Sequence, residues 1–170
     1  RPCLEGFDGL DASLLRSLDL VCAGIGKLSR GRFFHATLES AAPAHVGLGS
    51  GTTLTLALIA GADALLDLRL TREQMQRLSG RGGLSGVGLH AFFEGGVVWD
   101  GGHAVDPDAP FHLPSAGACG PLPPLMGHIP FPSRWRLALL APADAAARKE
   151  VATAVPVPDP RSERNKSHTA

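Results

Sequence analysis

Residues 43–53 read Pro-Ala-His-Val-Gly-Leu-Gly-Ser-Gly-Thr-Thr and join a strand-like segment to a long apolar segment. Glycine at three of these positions lets the backbone turn sharply and approach a ligand closely. The first N–H groups of a following helix have no partner within that helix, so they can bind an anion. We therefore expect a strand, a phosphate-binding loop and a helix, in this order.

The composition is that of a globular domain with balanced charge. Sixteen Lys and Arg residues match sixteen Asp and Glu residues, and 44% of the residues are hydrophobic. We expect no nucleic-acid partner, because such binders usually carry a basic excess. No apolar run has membrane-spanning length, so no membrane partner is predicted. An odd number of cysteines (Cys3, Cys22 and Cys119), without zinc-site spacing, favours a reducing compartment and a cytoplasmic location.

Hydrophobic spacing outlines the elements around the loop. Apolar residues at three- and four-residue intervals over 10–25 predict an amphipathic helix, which Gly24 and Gly26 help to end. Alternation over 34–39 predicts a half-buried strand. Residues 52–68 are apolar on nearly every face, which predicts a deeply buried helix.

The second half of the chain alternates glycine-rich turns with short elements. Thr71 and Gln74 fit a capping box that opens another helix, which the glycines from Gly80 onward end. Residues 89–93 fit either a helix or a strand. The remaining predictions are a short strand within 95–102, a long loop over 104–133, a strand over 134–141, and a disordered tail over 156–170.

The order of these motifs resembles the GHMP kinase superfamily, and more closely the beta-ribofuranosylaminobenzene 5'-phosphate synthases of methanopterin biosynthesis. The resemblance implies an α+β fold of the ribosomal-S5-like type, with helices on one face of a mixed sheet. It also implies that residues 1–155 form a partial GHMP-type domain. The resemblance covers residues 10–141, and the matching runs are 45–53, 80–82, 85–88, 91–92, 95–96, 100–102 and 130–132.

These synthases are similar in fold to small-molecule kinases, but they join phosphoribosyl pyrophosphate to 4-aminobenzoate and release carbon dioxide and pyrophosphate. The resemblance implies these substrates here, with Mg²⁺ as cofactor. The kinases commonly carry Ser-Gly-x-Asp where this sequence has Ser85-Gly-Val-Gly88, and glycine cannot accept a proton. Two alternatives stay open: a GHMP-family kinase that uses ATP, and a non-catalytic fragment or oligomerisation module that forms a homodimer.

The predicted site residues come from both loops, and no catalytic residue is assigned. Ser50 or Thr52 is expected near the magnesium ion. Arg81, Ser85 and Asp100 are predicted to bind substrate, since arginine grips phosphate or carboxylate through two parallel hydrogen bonds. For Arg81 the alternative is a solvated surface arginine that follows a helix, and for Asp100 it is a turn-forming role. The predicted phosphate-binding residues are Gly47, Leu48, Gly49, Ser50, Gly51, Thr52 and Thr53.

Histidines and cysteines are weaker candidates. His45 and His90 lie near the two loops, where a single histidine is more often structural than catalytic. His103 together with Asp100 could bind magnesium or orient the ribose hydroxyls. The group formed by His103, Asp106, Asp108 and His112 lacks a convincing metal-site spacing. The cysteines have no nearby base in the sequence, which favours a packing role.

Overall fold

The computed structural model describes residues 3–42, 47–83, 85–103 and 121–138. The chain divides into two compact units, Arg1–Arg136 and Leu137–Ala170. Every helix and strand named here belongs to the first unit. The predicted boundary at residue 155 and the predicted tail lie outside the described residues. In chain order the elements are β1 (Cys3–Glu5), α1 (Ala12–Leu28), β2 (His35–Thr37), α2 (Ser50–Leu66), α3 (Arg72–Ser79), α4 (Val87–Glu94), β3 (Val97–Asp100) and β4 (Leu125–Ile129).

Strands β1 and β2 are a parallel pair connected by α1, with Leu4 opposite Ala36. The carboxylate of Asp11 begins α1, because it accepts hydrogen bonds from the N–H groups of Ser13 and Leu14 at 2.9 and 3.0 Å. The predicted alternation of buried and exposed side chains around β2 is confirmed, since Phe34 is buried whereas His35 is exposed.

Helix α1 does not end at Gly24 or Gly26, so that prediction is wrong. Both glycines lie inside the helix, which continues to Leu28. A Cβ atom on Gly24 would lie 2.7 Å from Cδ2 of Leu78, so this glycine lets α1 and α3 approach closely. The backbone leaves the helix through Arg30 and Gly31, whose φ angles are +52° and +83°.

Helix α2 is the central element of the core and contacts α1, α3 and α4. Leu56 and Ile59 are fully buried against the other helices. The prediction of a deeply buried helix is confirmed for this side only, because Ala57 and Gly61 are exposed and Leu65 is 68% exposed. The outer side of α2 is thus accessible along part of its length.

The capping box of α3 is confirmed. The N–H of Gln74 donates to the Thr71 hydroxyl at 3.2 Å, and the N–H of Thr71 donates to Gln74 Oε1 at 2.7 Å. Gly80 ends α3 in the left-handed conformation. The ambiguous residues 89–93 belong to a helix, α4.

Strands β3 and β4 form an antiparallel pair in which Val97 lies opposite Ile129. Strand β3 confirms the strand predicted within 95–102, whereas β4 shows that the predicted loop over 104–133 is wrong for residues 125–129. The strand predicted over 134–141 is absent from 134–138, the part of it that is described.

The α+β class is confirmed. The expected single mixed sheet is, within the described residues, one parallel pair and one separate antiparallel pair. No helix in this part of the chain has both the length and the apolar character needed to cross a bilayer.

Candidate functional site

The two glycine-rich loops face one cavity of about 610 Å³, which we call the loop cavity. Residues from the first loop and the first turn of α2 form one wall, and residues from the second loop and α4 form the other. The fold thus brings together two segments that lie about 30 residues apart in the sequence. The lining residues are Gly47, Leu48, Gly49, Thr52, Thr53, Gly80, Arg81, Gly82, Ser85, Val87, Gly88, Leu89, Ala91 and Phe92.

Arg81 is the charged side chain among the described residues that line the loop cavity. It is half-buried, and its side chain forms no hydrogen bond or ion pair with any described residue. Its Nη2 atom lies 3.8 Å from the position of a Cβ atom on Gly51, so the guanidinium stands beside the first turn of α2. A partly desolvated cation that has no counter-ion among the described residues favours binding of an anion at this point.

The first turn of α2 adds backbone donors to the same wall. Gly49 is the N-cap residue of the helix and has φ +64°. It provides no side-chain hydrogen bond to the first turn. The N–H groups of a first helical turn lack intrahelical acceptors, and the helix dipole adds a partial positive charge. The cavity therefore combines Arg81 with a helix N-terminus, which is the chemistry of a phosphate site.

The first turns of α2 and α4 are in close contact at Gly88 and Thr52. A Cβ atom on Gly88 would lie 3.3 Å from Cγ2 of Thr52 and 3.8 Å from its hydroxyl oxygen. Glycine therefore allows the close approach of the two helices, and it leaves the cavity wall without a side chain at this point.

Asp100 ties β3 to the second loop. Its Oδ2 atom accepts hydrogen bonds from the N–H of Gly86 at 2.5 Å and from the Ser85 hydroxyl at 3.5 Å, while Oδ1 accepts from the N–H of Gly102 at 3.1 Å. Asp100 itself does not line the loop cavity. Its carboxylate is thus positioned to hold the loop that carries Ser85, and substrate binding by Asp100 stays a prediction.

A second cavity of about 480 Å³ lies on the other side of the first glycine loop. It is located where β1 and β2 end and where α1 and α2 begin. Leu48 and Thr53 line both cavities, so the loop and the first turn of α2 separate them. The other residues that line the second cavity are Gly9, Leu10, Asp11, Leu14, Ser40, Ala41, Ala42, Ser50, Leu54 and Ala57.

The two hydroxyls predicted to hold magnesium line different cavities. Thr52 lines the loop cavity, and Ser50 lines the second one. Side chains two positions apart on an α-helix are separated by a rotation of about 200° around the helix axis. The side chains of Ser50 and Thr52 therefore point to nearly opposite sides of α2. The two hydroxyls therefore lie on different sides of α2, and the placement of either one near magnesium stays a prediction. The described residues contain no cluster of three His, Cys, Asp or Glu side chains that could hold a metal ion.

The two described histidine candidates, His90 and His103, do not line the loop cavity. His90 Nε2 is hydrogen-bonded to the carbonyl oxygen of Pro123 at 2.8 Å, which ties α4 to the segment before β4. His103 is exposed and does not line the cavity. His45, Asp106, Asp108 and His112 lie outside the described residues.

Two of the cysteine predictions can be located. Cys22 is buried in the hydrophobic core, in agreement with a packing role, and Cys3 is the first residue of β1. Cys119 lies outside the described residues.

Sequence reasoning missed the apolar wall of the loop cavity, which consists of Val87, Leu89, Ala91 and Phe92 on α4. The signal was ambiguous, because eight residues are too few for periodicity to distinguish a helix from a strand. An apolar wall opposite the charged side chain of Arg81 suits a ligand with one charged and one uncharged part.

Comparison with known families identifies the domain. Residues 14–96 match the model of the GHMP kinases N terminal domain. These residues, just under half of the chain, are similar to a GHMP kinase N-terminal domain. The match contains α1 from its third residue onward, α2 to α4 and every residue that lines the loop cavity, so the superfamily resemblance found in the sequence is confirmed.

Curated relatives of this GHMP domain carry the name beta-ribofuranosylphenol 5'-phosphate synthase. The protein from Methanothermobacter thermautotrophicus is 36% identical over 121 residues, which are 69% of this chain and 36% of that protein. The protein from Archaeoglobus fulgidus is 41% identical over 99 residues, which are 58% of this chain and 31% of that protein. The resemblance to this group of synthases is confirmed, and the chain spans about a third of the length of these relatives.

Proposed function

We propose that this chain carries the donor-binding half-site of a synthase that joins phosphoribosyl pyrophosphate to a para-substituted benzoate. The pyrophosphate would occupy the loop cavity, between Arg81 and the first turn of α2. The products would be a ribosylated benzene 5'-phosphate, carbon dioxide and pyrophosphate. This activity belongs to the whole synthase, of which the GHMP domain is one part.

The observation that carries the proposal is the guanidinium of Arg81, which forms no hydrogen bond or ion pair with any described residue. A half-buried arginine usually finds a carboxylate, because desolvation of an unpaired cation costs free energy. Here it faces a cavity and stands beside the N-terminus of α2, 3.8 Å from the Cβ position of Gly51. A ligand with several anionic oxygens would satisfy the arginine and the backbone donors together.

The proposed reaction needs stabilisation of negative charge at the leaving group. The bond between the anomeric carbon and pyrophosphate breaks, and its electron pair leaves with pyrophosphate. The ring carbon that bears the carboxylate attacks the anomeric carbon, and loss of carbon dioxide then restores the aromatic ring. Arg81 and the α2 donors would stabilise the charge that develops on pyrophosphate.

Gly88 favours this reaction over phosphoryl transfer to an alcohol. The latter requires removal of a hydroxyl proton, for which the related kinases commonly carry an aspartate in the second loop. The decarboxylating reaction requires no such base, since the electrons that restore aromaticity come from the carbon–carboxylate bond. Gly88 offers no proton acceptor at the contact with Thr52.

The relatives' name bears on the acceptor. It specifies a ribofuranosylphenol, whereas the sequence resemblance implied a ribofuranosylaminobenzene. The same decarboxylating step would give the phenol from 4-hydroxybenzoate and the amine from 4-aminobenzoate. Both acids are therefore candidate acceptors for this chain. Magnesium, which resemblance alone suggests, would reach the site with the donor's phosphates. The cytoplasmic location and the homodimer also stay predictions.

Titration calorimetry with phosphoribosyl pyrophosphate and with inorganic pyrophosphate tests the site, with and without magnesium. We expect both ligands to bind the purified chain, and Arg81→Gln to weaken binding by about 10- to 100-fold, the loss expected when one charge-assisted contact worth about 1.5–3 kcal/mol is removed. Arg77→Gln is the matched control, because Arg77 is an exposed arginine paired with Glu73 on α3. Equal affinities in the two variants would contradict the site.

Turnover is a separate measurement. Incubation of the chain with phosphoribosyl pyrophosphate and each carboxyl-labelled benzoate should release labelled carbon dioxide if the chain contains the complete catalytic machinery. ATP with an alcohol acceptor tests the kinase alternative. Formation of ADP in that assay, without carbon dioxide release from either benzoate, would overturn the proposed reaction.

A further inference from the structure

The side of α4 that lines the loop cavity becomes apolar within one helical turn of the anion site. Gly88, Ala91 and Phe92 are three and four residues apart, so they share one side of this helix. Gly88 lies against Thr52 in the first turn of α2, where the proposed pyrophosphate site begins. Ala91 and Phe92, which we call the α4 patch, lie about 5 Å farther along the helix axis. The α4 patch therefore adjoins the anion site within one cavity.

Phe92 offers the loop cavity an aromatic surface that neighbouring side chains restrain. Its ring is only partly buried and packs edge-to-face against Phe93, with ring centroids 5.3 Å apart and an angle of 89° between the ring planes. The guanidinium of Arg72 lies 5.2 Å from the centre of the Phe93 ring and pairs with Glu94. A restrained aromatic side chain loses little conformational entropy when a ligand ring packs against it.

The charge of the loop cavity is compatible with a benzoate. Arg81 lines this cavity, and no Asp or Glu is present among the described residues that line it. The second cavity differs, because Asp11 lines it and its described lining contains no Lys, Arg or His. A benzoate anion is therefore not repelled by the described lining of the loop cavity.

The proposed reaction also requires that the two substrates meet in one cavity. The ring carbon must come within about 3–3.5 Å of the anomeric carbon, on the side opposite the departing pyrophosphate. With pyrophosphate between Arg81 and the first turn of α2, the ribose would extend across the cavity toward the α4 patch. An acceptor ring on this patch would face the ribose directly, because both lie in the same cavity.

We propose that Ala91 and Phe92 bind the aromatic ring of the acceptor, so that the loop cavity holds both substrates; this site rests on the proposed function. The ring carbon bonds to the anomeric carbon as the bond to pyrophosphate breaks, and that electron pair leaves with pyrophosphate. The electron pair of the carbon–carboxylate bond then returns to the ring, and carbon dioxide leaves. The apolar patch favours this last step, because a charged carboxylate becomes a neutral molecule.

Methyl NMR spectroscopy of the full chain, saturated with inorganic pyrophosphate and magnesium, tests the placement without requiring turnover. Pyrophosphate occupies the anion site, so the benzoate cannot bind there in its place. On addition of 4-aminobenzoate or 4-hydroxybenzoate, we expect nuclear Overhauser effects from the ring protons to the methyl group of Ala91. Effects to the methyl groups of Leu54 and Ala57 instead would place the ring in the second cavity and overturn the assignment.

Replacement of Phe92 tests the aromatic contact. Phe92→Leu keeps an apolar side chain of similar size, and it should weaken benzoate binding to the pyrophosphate-saturated chain by about 2- to 10-fold, the loss expected for one aromatic pair. Phe33→Leu is the control, because Phe33 is 59% exposed and does not line the loop cavity. Titration calorimetry measures both affinities. A benzoate affinity that is the same in the two variants would contradict the contact with Phe92.

A larger side chain at position 91 tests the space that the ring would occupy. Ala91→Leu fills part of the α4 patch and should weaken benzoate binding by at least tenfold. Ala64→Leu is the control, because Ala64 is exposed on α2 and lines neither cavity. Pyrophosphate affinity should stay within about twofold of the wild-type value in both variants, which also shows that they are folded. Undiminished benzoate binding by Ala91→Leu would refute the acceptor site.

The two proposals fail in distinguishable ways. Absence of pyrophosphate binding in the wild-type chain removes the donor site and with it the proposed function. Normal pyrophosphate binding, together with benzoate binding that neither Phe92→Leu nor Ala91→Leu affects, removes only the acceptor assignment.

Discussion

Asp100 accepts a 2.5 Å hydrogen bond from the backbone N–H of Gly86, and this bond fixes the end of β3 to the start of α4. The same oxygen contacts the Ser85 hydroxyl, and the other oxygen holds Gly102. One half-buried carboxylate thus determines the position of the loop that faces the candidate site, although it does not line the cavity.

Replacement of Asp100 should therefore affect both stability and binding. In Asp100→Ala, the N–H groups of Gly86 and Gly102 lose their acceptor, and we expect the free energy of unfolding to fall by about 1–3 kcal/mol. Asp100→Asn keeps one acceptor and should lose less. Urea denaturation measures stability, and calorimetry with pyrophosphate measures binding. Glu73→Ala, which removes an exposed ion pair with Arg77, is the control and should change stability by less than about 1 kcal/mol. A stable Asp100→Ala variant would contradict the role of this clamp.

Gly49→Val should abolish pyrophosphate binding. Gly49 adopts φ +64°, and a Cβ atom there meets no atom of the described residues within 4 Å, so the new side chain would enter the space proposed for the ligand. Gly31→Val is the matched control, because Gly31 has φ +83°, equally open surroundings and no place in the loop cavity. Both variants should carry backbone strain of about 1–2 kcal/mol. Calorimetry should show lost binding for Gly49→Val alone, and an equal loss in both would assign the effect to strain.

Gly88→Asp should weaken pyrophosphate binding through charge. The carboxylate would stand beside Thr52 and face the cavity that holds Arg81, so it would act as a counter-ion in place of the ligand. Gly88→Asn has nearly the same shape without the charge and should bind more tightly than Gly88→Asp by about tenfold or more, equivalent to about 1.4 kcal/mol. Titrations at low and high salt distinguish the two effects, since only the charge difference is screened. Identical affinities of the two variants would show that position 88 acts by shape alone.

The two glycines inside α1 should respond differently to alanine. Gly26→Ala places its methyl group in open space and should raise the free energy of unfolding by about 0.5–1 kcal/mol, the usual gain in helix propensity. Gly24→Ala would place its methyl group 2.7 Å from Leu78 Cδ2, so the side chain of Leu78 must move and the gain should be reduced or reversed. Thermal denaturation of the two variants measures the difference. A larger gain for Gly24→Ala would show that the contact between α1 and α3 tolerates the methyl group.

Local sequence signals predicted those parts of the fold that depend on neighbouring residues. The strand around Ala36, the helix after the first loop and the capping box at Thr71 all follow from spacing or from side-chain hydrogen bonds within a few residues. The glycines of α1 misled the prediction, because glycine costs a helix only about 1 kcal/mol. The packing of Leu78 against Gly24 could not be known without the tertiary structure.

Long-range pairing explains the strand that was missed. Residues 125–129 lie in a stretch rich in proline and glycine, and they become β4 only by pairing with β3, in which Val97 lies opposite Ile129. Residues 134–141 have a strand-like sequence pattern. Residues 134–138, however, pair with no strand among the described residues.

In the candidate site, too, features that depend on local sequence were predicted, and features that depend on long-range contacts were not. The first loop and Arg81 were singled out from residue types, and the fold brings them to one cavity. The separation of Ser50 from Thr52 follows from helical geometry, but it could be recognised only once α2 was known to begin at Ser50. The clamp at Asp100 depends on a contact between residues 14 positions apart.

Leu48 and Thr53 line both cavities, and this has a thermodynamic consequence. A ligand in either cavity restrains the same short segment, so the two binding equilibria are linked through it. Linkage is reciprocal: the factor by which pyrophosphate changes the affinity for a ligand of the second cavity equals the factor by which that ligand changes the affinity for pyrophosphate. Substitution of Leu48 or Thr53 alters both equilibria and their coupling together, whereas Arg81 and Ala57 each belong to one cavity and allow the two ligands to be studied separately.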